Sequence, residues 1–141
     1  MKKWKRTVTT LVALIVLSAA YGFYLYHKKP ADVRTLDAQV NVSATLLVEA
    51  FSKDETAANK LYLDKIIAVK GIITDIKSDS VTKQSTVFLD SGDPMAAVNC
   101  SFYEEETDAV KALHKGQQVT IKGQCTGKLL DVVLNKCSIV P

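Results

Sequence analysis

Histidine, cysteine and aromatic residues are scarce in this chain of 141 residues, and their scarcity excludes several kinds of site. The two histidines, His27 and His114, and the three cysteines are dispersed, without a CxxC motif or a His/Cys cluster. Protein metal centres need clustered ligands, so the sequence predicts no metal site. The sequence also shows no catalytic constellation. The acidic run at 104–106 is a candidate acid/base group, but it precedes a predicted helix, and acidic residues at that position stabilise the N-terminal helix dipole. We therefore expect neither enzymatic activity nor a cofactor.

Acidic residues are absent from the first 30 positions, which changes the meaning of the overall net charge of +3. That segment holds six of the 18 Lys and Arg residues, so the remainder carries 12 basic residues against all 15 acidic ones. Residues 31–141 are therefore mildly acidic, with a net charge of −3. Such a domain lacks the positive surface that dominates binding to a phosphate backbone, which disfavours nucleic acid as the ligand.

Charge of either sign is absent from a run of twenty residues, 7–26, that lies between two basic flanks. At 1.5 Å rise per residue a helix of this length spans roughly 30 Å, the thickness of the hydrocarbon core of a bilayer. The sequence therefore predicts a transmembrane signal-anchor helix at 7–26 after a cytoplasmic flank at 1–6. Because basic residues concentrate before the span, the positive-inside rule predicts an inner-membrane protein with its C-terminal domain in the periplasm.

A cleavable signal peptide is the alternative interpretation of this run. Ser18-Ala19-Ala20 provides the small residues that a signal peptidase requires at positions −3 and −1 of a cleavage site after Ala20. The retained anchor is favoured because apolar sequence continues to Tyr26, beyond the length of a secretory signal core. No cysteine lies near residue 20 for lipid attachment. Both interpretations export the domain.

Two short helices are predicted after a polar linker at 27–42. Ser43 is a suitable N-cap for the first helix and Asp54 for the second. Apolar residues recur at helical spacing after each cap, which indicates one apolar face on each helix that packs on the domain's own sheet. The predicted domain thus extends over 43–141 and begins with a helical region at 43–63.

Beyond residue 64 the apolar period changes from 3.6 residues to about two, which is typical of strands. Gly71 interrupts the first strand, where a small barrel needs a sharp bend. The predicted order is three strands, one short helix and two more strands. The strands after the first one are expected at 86–90, 96–103, 118–126 and 131–140, and the helix at 108–114.

This order is similar to that of the OB fold, a five-stranded Greek-key barrel. The chain also resembles the bacterial tRNA-anticodon-like OB family of exported or membrane-anchored proteins, over roughly residues 43–140. The segments that carry the resemblance are 58–71, 98–102, 115–127 and 134–140. The resemblance implies a mainly β (β+α) domain with an N-terminal helical extension, preceded here by one transmembrane helix. The haem chaperone of cytochrome c maturation is also similar, but neither His27 nor His114 has a tyrosine four residues later.

OB barrels bind ligands across their second and third strands, between the loops that join strands one to two and four to five. In this chain those loops are predicted at 77–84 and 127–131. The candidate ligand-binding residues are accordingly Lys77, Lys83, Phe88, Tyr103 and Lys128. Two aromatic residues are too few for the stacking platform of a single-strand binder.

The three cysteines lie on predicted strands, and an oxidising compartment permits pairing. Cys125 and Cys137 are on adjacent strands, so a disulfide between them is one expectation. A simple hairpin places Cys137 several residues away from Cys125, so that this bridge needs a bulge or a slipped register. There are two alternatives: a disulfide that includes Cys100, or three free thiols buried in the core.

Together these features predict a membrane-anchored periplasmic OB domain that acts as a binding or scaffold module for a protein, peptide or saccharide. Binding of single-stranded nucleic acid is the main alternative. A third hypothesis makes the chain an accessory subunit of a membrane complex, in which the helix at 7–26 contacts the partner.

Overall fold

The computed structural model describes residues 1–27 and 32–141, which form two separate units, an N-terminal helix and a compact domain from Asp32 onwards. Residues 28–31, which belong to the expected linker, lie outside the described residues. Helix α1 extends over Lys2–His27 and so includes the whole predicted span. By length and composition it is the one helix of the described residues that could cross a membrane. Its Thr7 and Thr10 hydroxyls donate to backbone carbonyls about one turn earlier, so the hydrogen bonds of these polar groups are made within the helix.

The domain is a closed five-stranded barrel with one additional edge strand. Strand order around the sheet is β1-β2-β3-β4-β6-β5, and pairing between β2 and β5 closes the barrel. Neighbouring barrel strands are antiparallel except β4 and β6, which are parallel. The strands are β1 (Val40–Ser43), β2 (Ile66–Ser78), β3 (Ser85–Leu89), β4 (Val98–Phe102), β5 (Gln118–Lys128) and β6 (Val132–Val140). This arrangement confirms the predicted OB barrel.

Strand β2 serves two sides of the barrel because it bends near Gly71. Its first half, up to Ile72, pairs with β5, and its second half, from Ile73, pairs with β3. A Cβ atom on Gly71 would lie 3.1 Å from the Cβ atoms of both Ala44 and Leu89. Glycine therefore provides the space for the bend that the sequence predicted.

The segment before the helices belongs to the domain, which corrects the expectation of a linker through residue 42. Val33 is buried in a short 3-10 turn, Val33–Thr35. Strand β1 then pairs in parallel with β2, from Val40 opposite Ile67 to Ser43 opposite Lys70. The sequence did not indicate this strand because four residues are too few for a clear alternation and their partner follows almost 30 residues later.

Helices α2 (Ala44–Lys53) and α3 (Glu55–Tyr62) begin at the predicted caps. The side chain of Ser43 accepts a hydrogen bond from the Leu46 N–H, and that of Asp54 accepts one from the Ala57 N–H. Their inner faces contribute Leu47, Phe51 and Ala58 to the barrel core. Between β4 and β5 lie a 3-10 turn, Glu104–Glu106, and helix α4, Thr107–Lys111, which ends earlier than predicted.

Candidate ligand-binding face

The outward side of β3, β4 and β6 forms the surface on which we place the candidate site, and we call it the open face. Burial alternates along these strands, with one set of side chains in the core and the other half-buried or exposed. Strand pairing places Thr86 opposite Ser101, and Phe88 opposite Asn99. The outward residues of the open face are Thr86, Phe88, Asn99, Ser101, Val133 and Asn135.

The structure brings two of the predicted site residues together on this face. The ammonium group of Lys77, near the end of β2, lies 5.0 Å from the ring centroid of Phe88, within cation–π range. Beside them, the ammonium group of Lys115 lies 2.7 Å from an Asp75 carboxylate oxygen. This contact with Lys115 and a backbone hydrogen bond from Ile76 lower the pKa of Asp75 below its usual value. Phe88 thus lies on a surface of mixed charge.

A groove of about 580 Å³ lies at the end of the open face, next to a bulge in β6. The bulge is identified by the register, which shifts between Cys100 and Phe102 on β4 and between Lys122 and Gln124 on β5. Bulges redirect side chains next to binding sites. The groove is lined by Thr82, Gln84, Ser101, Phe102, Tyr103, Glu104, Asn135 and Lys136.

One wall of the groove is the loop between β2 and β3, which its own polar groups hold in shape. The Asp79 carboxylate accepts hydrogen bonds from the Val81 N–H at 2.7 Å and the Thr82 N–H at 3.2 Å. These two backbone bonds lower the pKa of Asp79. The hydroxyl of Thr107 donates to the Lys83 carbonyl at 3.0 Å, which ties the loop to α4.

Tyr103 lies at the edge of the groove, and the N-terminal segment of the domain fixes its position. Its hydroxyl accepts a hydrogen bond from the Val33 N–H at 3.2 Å, and the guanidinium of Arg34 lies 4.8 Å from the ring centroid. The Asp32 carboxylate holds Arg34 by a bidentate contact, and hydrogen bonds from Arg34 lower the pKa of Asp32. One ring face of Tyr103 is therefore covered by Arg34.

The two remaining predicted lysines lie at opposite ends of the open face. Lys83 forms an exposed ion pair with Glu104 at 3.7 Å beside the groove. Lys128 is at the β5–β6 turn, where its ammonium group donates to the Ser52 hydroxyl at 2.8 Å. The five-residue strands β3 and β4 separate these two ends by about 15 Å, at 3.3 Å rise per residue. The ligand-binding role of all five predicted residues stays a prediction.

The expected disulfide between Cys125 and Cys137 is not formed in the structure, in which all three cysteines are free and buried. The register places Cys125 opposite Leu134 on β6, and Cys137 beside Phe102 on β4. Cys137 is thus three positions beyond the partner of Cys125. Its own thiol neighbour is Cys100, and burial, followed by this neighbour, raises the pKa of the Cys137 thiol.

The sequence-based prediction did not include the two groove residues of β6, Asn135 and Lys136, because it did not locate the bulge in this strand. A signal is nevertheless present. Buried residues occupy even positions in the first part of β6, Val132 and Leu134, and then an odd position, Cys137. A change of phase within one strand indicates an inserted residue.

Residues 1–139 match the model of the family described as tRNA_anti-like. The chain belongs to the tRNA_anti-like family. This confirms the family resemblance drawn from the sequence. No curated protein sequence matches this family member.

Several solved structures are similar to this tRNA_anti-like protein. A Klebsiella pneumoniae protein designated a candidate nucleic acid-binding lipoprotein is similar with a TM-score of 0.60 and 21% identity, over 80% of this chain and 100% of that chain. A protein designated a candidate aspartyl-tRNA synthetase from Leishmania major has a TM-score of 0.48 and 14% identity, over 75% of this chain and 21% of that chain. At these identities the first likeness is one of fold alone.

Proposed function

We propose that this tRNA_anti-like protein is an exported, membrane-anchored binding or scaffold module whose ligand occupies the open face and its groove. The observation that carries the proposal is the groove itself, which forms where an OB barrel ordinarily binds its ligands, beside the loop between its first two barrel strands. A binding role is proposed rather than catalysis, with the ligand a protein, a peptide or a saccharide.

Export is proposed from the N-terminal unit. Its four basic residues before residue 7 favour a cytoplasmic N-terminus, and helix α1 is long enough to cross the inner membrane. The domain is then periplasmic. Retention of α1 as an anchor, rather than its removal as a signal peptide, is part of the proposal.

Binding of single-stranded nucleic acid is the second candidate, because the contact between Lys77 and Phe88 joins a cation to an aromatic ring on the open face. Three features disfavour it: the domain is acidic overall, Phe88 is the single aromatic residue among the outward residues of the open face, and Arg34 covers one face of Tyr103. Fluorescence anisotropy with a labelled single-stranded oligonucleotide separates the candidates. A salt-dependent affinity that Phe88→Ala abolishes would support the nucleic-acid candidate.

The proposal is tested by photocrosslinking in cells. A diazirine amino acid is placed at Ser101 in the groove, at Lys111, an exposed residue of α4 that does not line the groove, or at Leu14 in the middle of α1. Adducts specific to Ser101 support the proposed site. Adducts at Leu14 alone favour an accessory subunit that assembles through its helix, and identical patterns at Ser101 and Lys111 contradict the proposal.

A further inference from the structure

We infer that the groove binds an acidic saccharide, with the hydroxyl groups of the sugar on its amide and hydroxyl side chains and a carboxylate beside Lys136. The inference rests on the proposed function and names the ligand class of the same site. Three observations lead to it: the unpaired polar side chains of the groove, a lining lysine without an ion-pair partner, and the backbone conformation of that lysine and of Lys83 beside the groove.

Neutral polar side chains dominate the lining. The side chains of Gln84, Ser101 and Asn135 make no hydrogen bond to any residue that the structure describes, although all three border the groove. Amides and hydroxyls both donate and accept, which is the pattern that vicinal sugar hydroxyls require. Tyr103, held by Val33 and Arg34, adds an ordered aromatic ring to the lining, and the C–H groups of a pyranose pack on aromatic rings.

Lys136, a lysine of the groove without an ion-pair partner, favours a ligand with a carboxylate. Glu104 compensates Lys83 at 3.7 Å, whereas Lys136 has no carboxylate within 4.0 Å among residues 1–27 and 32–141. The nearby Glu106 accepts a hydrogen bond from the Ser138 hydroxyl instead. The half-buried ammonium side chain of Lys136 therefore has no ion-pair partner among the described residues, and a half-buried cation binds an anionic group more strongly than an exposed one does.

The backbone supports a functional interpretation of the same lysines. Lys83 and Lys136 both have φ of 54°, in the left-handed region that glycine adopts without steric cost. Only three non-glycine residues of the described chain have positive φ, and two of them flank this groove. Backbone strain of this kind concentrates at binding sites, where the side chain is needed in spite of its cost.

The test is calorimetric titration of the full-length protein in lipid nanodiscs with three probes. These are tetragalacturonate with four carboxylates, neutral chitotetraose, and a pentathymidylate with four phosphodiesters. We expect tetragalacturonate to bind most tightly, and Lys136→Gly to weaken it at least tenfold. Glycine relieves the backbone strain, so that this variant keeps the fold. Asn135→Ala is expected to weaken binding similarly, and the remote Lys60→Ala, with the same loss of charge, is the matched control.

Three results would overturn the inference. If chitotetraose binds as tightly as tetragalacturonate and Lys136→Gly has no effect, the ligand needs no carboxylate. If pentathymidylate binds more tightly than both saccharides, the ligand is a nucleic acid. Absence of binding by both saccharides refutes the ligand class. In that last case adducts at Ser101 in the crosslinking experiment would still support the proposed function, whereas their absence would refute both proposals.

Discussion

Gly123 on β5 and Cys137 on β6 are in such close contact that the barrel accepts no side chain at residue 123. A Cβ atom there would lie 2.6 Å from the Cys137 sulfur and 3.2 Å from the Asn135 carbonyl oxygen. The missing side chain thus accommodates the buried thiol next to the bulge that opens the groove. The close approach of β6 therefore restricts residue 123 of β5 to glycine.

We expect Gly123→Ala to lower the free energy of unfolding by about 1–3 kcal/mol, because the added methyl group overpacks the core. In a Cys137→Ala background the same substitution should cost less, since the sulfur atom is gone. Chemical unfolding of the four variants followed by circular dichroism gives the coupling energy of this cycle. Additive effects would show that the two residues do not interact.

The thiols offer a second test at this scale. Burial raises the pKa of the Cys125 thiol, and burial together with Cys100 raises that of Cys137, so both stay protonated at neutral pH. We expect slow alkylation by N-ethylmaleimide in the native protein and three alkylated cysteines after unfolding without reductant. Intact mass measurement distinguishes this result from a single alkylated cysteine, which would indicate that the other two cysteines form a disulfide.

The Asp75–Lys115 ion pair makes the free energy of unfolding depend on pH. The folded state lowers the pKa of Asp75 below 3.8, so its contribution is present above that value and is lost as the pH falls through the folded pKa. Asp75→Asn should therefore flatten the decrease in unfolding free energy below about pH 4. Asp108→Asn, which removes a more exposed ion pair with Lys111, is the control. An unchanged acid profile in Asp75→Asn would contradict the linkage.

At the scale of elements, local signals identified both short helices, because each cap bonds within three residues of itself. Ser43→Ala and Asp54→Ala should each cost about 1 kcal/mol of stability, since an N–H at the helix start loses its acceptor. Asp54→Asn keeps the acceptor and should stay close to the wild type. Denaturant midpoints measure all three, and an equal loss in Asp54→Asn would assign the effect to charge.

Elements that pair with distant parts of the chain were harder to predict from the sequence. Strand β1 has its hydrogen bonds with β2, and the β6 bulge is defined by its register against both β4 and β5. The groove depends on that bulge. The change of phase along β6 indicates an inserted residue, but the register of β6 against β4 and β5 decides that Asn135 and Lys136 line the groove. Tyr103 and Lys83, in contrast, were among the residues predicted from the sequence.

At the scale of the whole molecule, the charge distribution predicts the orientation in the membrane. Alkaline phosphatase joined after Pro141 should be active, because the enzyme folds only outside the cytoplasm, and the purified fusion should retain residues 1–20. Replacement of the four basic residues before residue 7 by glutamine should reduce the exported fraction. An inactive wild-type fusion would place the domain in the cytoplasm, and a product without residues 1–20 would indicate a cleaved signal peptide.

The order of residues alone dictates the apolar helix, the two capped helices, the strand sequence and the bend at Gly71, because hydrophobic periodicity, charge and capping act over a few neighbouring residues. It also indicates the family and the OB barrel. Tertiary structure decided the pairing of β1, the separation of Cys125 from Cys137, and the convergence of Gln84, Ser101 and Lys136 around one groove. The physical reason is register: a shift of one residue between distant strands exchanges inward and outward side chains, and only packing of the whole barrel determines it.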